Sequence, residues 1–176
     1  MSDVPKAPGS GDGPESDPED ERRLVLRYHL GAITEASAGV EYTLRAIVAS
    51  LLGSPRANVV AAGQPVTWLV QNALAVIDAN DDVRGPSLGD PQKVARFRAA
   101  VKECGDLYTK RNQLIHGAWL DGGPGLTQVR SKWRKPWPSA VEVQVEEIEG
   151  LAQELNDAVN ELLEASVEVK GIVSGT

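Results

Sequence analysis

Cysteine is almost missing from this chain. Cys104 stands alone, which excludes an intrachain disulfide and a cysteine-built zinc cluster. Histidine is nearly as scarce: His29 and His116 are the only two, too few for a histidine-rich metal site, so the expectation is no metal and no other cofactor. Aromatic residues make up 5% of the chain, with a single Phe. No apolar run approaches the ~18–20 residues of a membrane span. The opening stretch MSDVPKAPGSGDGPESDPEDE has neither the basic nor the apolar region of a secretory leader. The expectation is a cytoplasmic protein in a reducing compartment with no membrane partner. There is no Walker loop, dinucleotide fingerprint or Gly-x-Ser-x-Gly elbow, and Asp78, Asp81 and Asp82 do not follow calcium-loop spacing.

What is present fits one soluble domain. The chain has 176 residues, 41% hydrophobic and 24% charged, enough for one core and tight for two. Its net charge of −7 is unevenly placed. Residues 1–21 hold seven acids against Lys6, whereas the remaining 155 residues carry 18 acids and 17 bases. The pI of 4.9 therefore belongs largely to an acidic Pro/Gly/Ser-rich tail over 1–21, which has little to bury and is expected to be disordered. That tail is either a solubilising leader or a mimic covering a basic surface. The nearly neutral remainder, 22–176, is compatible with a polyanionic ligand.

Apolar periodicity organises that remainder. Over about 20–52, Leu26, Leu30, Ile33, Ser37, Val40, Leu44, Ile47 and Leu51 follow unbroken 4-3 spacing, the pattern of a helix with one buried stripe. Gly53 followed by Ser54-Pro55 ends it. Gly31 and Gly39 each weaken the helix by about 1 kcal/mol and permit close packing or a break. Residues 54–63 read as a loop, and Pro65 opens a second helix to about Ala79. Asp90 caps a third helix with Pro91 in its first turn, and Val94, Phe97, Val101, Cys104, Tyr108 and Ile115 form its stripe. Over about 118–145 the pattern becomes extended. Asp121-Gly122-Gly123-Pro124-Gly125 is a turn, and Val141, Val143 and Val145 alternate with polar residues, so a small β-hairpin or ribbon is expected. A last helix spans about 146–168, with Ile148, Leu151, Leu155, Val159 and Leu162 inward. Such stripes bury only against one another, which predicts an all-α antiparallel bundle of four main helices with the hairpin inserted before the last.

One string carries chemistry: Lys110-Arg111-Asn112-Gln113-Leu114-Ile115-His116-Gly117-Ala118-Trp119. At about 100° per residue, Arg111 falls within the apolar stripe, Asn112 at its edge, and His116 one turn beyond Asn112. A guanidinium facing a packed seam needs an acidic partner, an anionic ligand or an opening at an interface. An arginine fork grips phosphate oxygens and stabilises a pentavalent phosphorane, and a histidine moves protons near neutral pH. RNA brings its own nucleophile in the 2′-hydroxyl, so these groups suffice for strand cleavage without a metal. Arg111 and His116 lie about 140° apart on a regular helix. A helix end at Gly117, or a second copy of the motif across a two-fold axis, is needed to bring them to one phosphate. The structural alternative is an ion pair between Arg111 and Glu41, with His116 capping the helix.

The string Arg111-Asn112-Gln113-Leu114-Ile115-His116 resembles the Arg-x4-6-His signature of the HEPN superfamily, including an asparagine directly after the arginine. The likeness extends loosely over 22–170, a helical bundle with the motif late in a central helix. It implies a homodimer whose two motifs form one composite ribonuclease site, with Arg111 and His116 catalytic and Asn112 supporting. Many members are prokaryotic toxins or antiviral defence effectors, which implies RNA as substrate and an antitoxin partner. Some members place a tyrosine two residues after the histidine, where this chain has Ala118. Members often supply an acidic or polar group from an early helix, a supporting role that falls to Glu41. The alternative is a non-catalytic HEPN-like module that binds a nucleotide, RNA or a protein.

Arg130, Lys132, Arg134 and Lys135, interleaved with Trp133 and Trp137, form the most basic stretch and are candidates for RNA contact, since cations track phosphates and indoles stack on bases. A solvated hairpin anchored by its tryptophans is the structural alternative. His29 reads as a boundary histidine, Cys104 as a small core residue, and Trp68 and Trp119 as packing residues.

Overall fold

A computed structural model describes residues 17–54, 56–82, 88–120, 126–130 and 139–169. Among these, the protein is mostly helical, with five helices and one small antiparallel sheet. The first helix, α1, runs Pro18–Leu51. Asp17 caps it by accepting from the Glu19 N–H at 2.9 Å, and Glu19, Asp20 and Glu21 occupy its first turn, where carboxylates suit the helix dipole. The helix therefore takes in residues 18–21, which composition assigned to the acidic tail. Residues 1–16 lie outside the described ones. Gly31 and Gly39 do not interrupt it. Gly53, at φ 60°, ends it by adopting the left-handed conformation that glycine tolerates.

A short helix, α2, spans Ala57–Ala61 where a loop was expected. Five residues are too few to show a helical period, but Ala57 and Ala61, one turn apart, are buried against α1. Helix α3 covers Val66–Asp82 and buries Val66, Leu69, Ala73 and Ile77. Helix α4 covers Pro91–Ile115, with Asp90 accepting from the Gln92 N–H at 2.8 Å as its cap. Helix α5 covers Val145–Glu168.

The core lies where α1 packs on α3, α4 and α5, and α4 packs on α3 and α5. Ile33, Val40, Leu44, Leu69, Ile77, Phe97, Val101, Ile148, Leu155 and Leu162 are sealed in it, as the apolar stripes predict.

The insertion before α5 holds three strands: β1 (Ala118–Leu120), β2 (Leu126–Arg130) and β3 (Ser139–Val143), in the order β1-β2-β3 with both pairings antiparallel. A hairpin or ribbon was expected. The extra strand is three residues long and leaves α4 directly, too short for a period-two pattern. Trp119 lies opposite Gln128, and Gln128 opposite Val141. Opposed residues share a face, and this face looks inward: Gln128 is fully buried, and Trp119 and Val141 pack against the core.

No helix among the described residues is long and apolar enough to cross a membrane.

Candidate functional site

Arg111 lies in the last turn of α4. Its half-buried side chain crosses to α1, where its Nε donates to the Ser37 hydroxyl at 3.2 Å. Its NH1 donates to Asn112 Oδ1 at 2.9 Å. The guanidinium carbon stands 5.3 Å from the centre of the Tyr108 ring, within cation–π range. All three partners are neutral, and no carboxylate among the described residues contacts this cation.

The ion pair with Glu41, the structural alternative, does not form. Glu41 accepts from Arg45 at 2.7 Å, one turn along α1, while Arg111 reaches α1 one turn earlier, at Ser37. Ser37 is itself sealed from solvent and donates its hydroxyl hydrogen to the Thr34 carbonyl at 2.9 Å. Its oxygen is thereby oriented to accept from the guanidinium.

His116 is the C-cap of α4, with φ −94° and ψ 2°. Its N–H still donates to the Asn112 carbonyl at 3.1 Å, but its ring is exposed and pairs with no described residue. Asn112 thus joins the two outer members of the motif: its side chain accepts from Arg111 and its backbone carbonyl accepts from His116. The Arg111 and His116 side chains make no contact with each other, in keeping with their separation around the helix.

The end of α4 is fastened by a residue that the sequence reading passed over. Gln128, wholly buried in β2, donates from Nε2 to the Leu114 carbonyl at 2.6 Å. That carbonyl is one of the last four of α4, which lack an intrahelical partner. Gln128 Oε1 accepts from Arg130 Nε at 2.6 Å. The amide crosses close over Gly117, where any Cβ would overlap it. Glycine after His116 thus serves this close approach. Its φ is not among the positive ones. Nothing in the sequence marks Gln128 apart from its place in an extended segment. Ser37 did carry a signal, as a polar residue at a stripe position, and so did Tyr108, the one stripe residue with an aromatic face one turn before Arg111.

Arg130, a candidate for RNA contact, directs its Nε inward to Gln128. Lys132, Trp133, Arg134 and Lys135 lie outside the described residues. His29 pairs with Glu149 of α5 at 3.1 Å, as a boundary histidine would. Cys104 is sealed in the core, its thiol 3.7 Å from the Ala158 carbonyl, and burial pushes its pKa up to about 12. Such a thiol stays protonated and is no nucleophile. Among the described residues, no group of three or more His, Cys, Asp or Glu is gathered to hold a metal ion. No protein-family model matches the chain, and neither a curated protein nor a solved structure matches it.

Proposed function

We propose that this chain is an endoribonuclease of HEPN type, a bundle of four main helices (α1, α3, α4 and α5) acting as a homodimer, in which α1 and α5 run parallel, His29 beside Glu149 and Gly39 beside Val159, and not antiparallel as expected. One observation carries the reading: among the described residues, a half-buried arginine meets only neutral partners, five positions before an exposed histidine. A structural arginine at such a depth is normally paired with an acid. One that meets only a hydroxyl, an amide oxygen and a ring face keeps its charge for an external anion.

In this reading Arg111 grips the scissile phosphate through the guanidinium edge not used by Ser37 and Asn112. The RNA 2′-oxygen attacks phosphorus as His116 removes its proton. The bond from phosphorus to the 5′-oxygen breaks, and that oxygen leaves with a proton delivered by the facing histidine of a second copy. A 2′,3′-cyclic phosphate and a 5′-hydroxyl result. Asn112 sets the direction of the guanidinium. Glu41, held by Arg45, shapes the local charge without touching Arg111. The biological setting of the resemblance is a toxin or antiviral effector neutralised by an antitoxin.

Purified protein is expected to cut single-stranded RNA in the presence of a chelator. His116→Ala should lower the rate at least ~100-fold and Arg111→Met by a similar factor, both with unchanged circular dichroism. Equal rates in wild type and His116→Ala would reject the reading.

The second reading is a non-catalytic module for RNA or a nucleotide. It is favoured by the lack of contact between the Arg111 and His116 side chains within one chain. Tight binding without cleavage across many substrates would select it.

A further inference from the structure

We propose that the shallow groove lined by Arg23, Leu26, Arg27 and Trp119 is a subsite for an unpaired nucleotide of single-stranded RNA, its base stacked on the indole and its phosphate held by Arg27. The proposal deepens the ribonuclease reading and takes RNA as the ligand from it.

The groove joins two elements distant in sequence. Arg23 lies one turn before Leu26 and Arg27 on α1. Trp119 lies in β1, three residues past His116. The groove holds about 300 Å³, at the small end of ligand-sized sites, and is open to solvent. Arg27 is exposed and has no partner among the described residues. Arg23 stands 3.9 Å from Asp20, so Arg27 is the stronger phosphate anchor of the two. The Trp119 ring is half-buried, and its enclosed N–H has no acceptor among the described residues. A half-buried indole that lines the groove beside a guanidinium with no partner among the described residues is the pairing that single-strand binders use. The base finds a π-face, the phosphate finds a cation, and neither contact depends on sequence.

Placement ties the groove to the motif. Leu26 of the groove and Ser37 under Arg111 belong to the same stripe of α1, eleven residues and about 16 Å apart. Helix α4 runs antiparallel along that stripe: Arg111 meets Ser37, and Trp119, eight residues later, reaches the level of Leu26. His116 comes between them in the chain. A strand with its cleaved phosphate at Arg111 would reach the groove after about five stacked nucleotides at ~3.4 Å each. The subsite therefore holds a nucleotide several positions from the cut and adds affinity without touching the reacting atoms.

The test is anisotropy of a fluorescein-labelled ten-nucleotide oligouridylate titrated with the full chain carrying His116→Ala, over a range of chloride concentrations. Arg27→Gln is expected to weaken binding and to reduce the slope of log affinity against log salt by about 0.7, the loss of one phosphate contact on a single strand. Trp119→Leu is expected to weaken binding at least fivefold, while Trp119→Phe, which keeps a stacking face, recovers most of it. Circular dichroism checks that each variant folds, and Arg27→Gln, on the surface, keeps the test open if Trp119→Leu does not. Unchanged affinity and slope in Arg27→Gln, or no RNA binding by the parent, overturns the subsite. Cleavage separates the two claims. Activity lost with His116→Ala but untouched in binding and rate by Arg27→Gln and Trp119→Leu removes the subsite alone. RNA binding that needs Arg27 and Trp119, with no His116-dependent cleavage, removes the ribonuclease reading alone.

Discussion

Gly117 and Gln128 show how much one position depends on another across the chain. The Gln128 amide is anchored at both ends, on the Leu114 carbonyl and on the Arg130 guanidinium. It cannot swing aside to admit a methyl group at Gly117. Gly117→Ala is therefore expected to lower stability by about 2–3 kcal/mol, through overpacking and the loss of a buried hydrogen bond. Urea denaturation measures it. In the double variant with Gln128→Ala, the alanine at 117 should cost little beyond Gln128→Ala itself, because its obstacle is gone. A double-mutant cycle with no coupling would show that the two residues do not meet. Residue-level legibility in the sequence was uneven for the same reason. Arg111, Asn112 and His116 stand out as a spaced string, but Gln128 acquires its role only when β2 folds back onto the end of α4, and local spacing does not encode that.

At the scale of elements, α4 and α5 are laced by charge as well as by apolar contact. Arg96 of α4 reaches Glu161 at 2.6 Å, Glu168 at 2.9 Å and Glu164 at 3.2 Å, all on α5. The hydrogen bond from Arg96 holds the Glu161 carboxyl below its usual range, with the arginine charge adding to it. The folded state thus favours the ionised carboxylate. This contribution is present above the unfolded pKa of about 4.3 and is lost as pH falls through the lower, folded value. Arg96→Met is expected to be less stable than wild type at pH 7, where three carboxylates lose their shared cation, and the difference should shrink as pH drops below about 4. Urea midpoints at pH 7, 4 and 3 give the comparison, and a gap independent of pH would mean the cluster does not act through ionisation. Helices α1, α3, α4 and α5 were readable because each repeats an apolar stripe over four or more turns. Helix α2 and strand β1 were not, since five and three residues are too few to repeat the periods of 3.6 and 2 that would reveal them.

For the whole molecule, the sealed thiol of Cys104 reports on opening of the core. It sits between α4 and α5 among residues with almost no exposure. Iodoacetamide at pH 8 is expected to leave it unmodified in the native protein and to label it fully in 6 M guanidinium, as mass spectrometry would show. Rapid native labelling would mean that α4 and α5 separate easily. Burial raises the folded pKa to about 12, so the unfolded thiol ionises first. Cys104 therefore draws stability down as pH rises above about 8.5.

The Arg111 site differs from this core in that, among the described residues, no carboxylate contacts its charge. A guanidinium is a permanent cation, and Ser37, Asn112 and Tyr108 offer it dipoles and a π-cloud in place of a carboxylate. Among the described residues, no carboxylate contends with an anion for that hold. The strength of that hold is governed instead by screening and by competing small anions, so phosphate or sulfate in solution would contend directly with a nucleic-acid backbone for the same guanidinium edge.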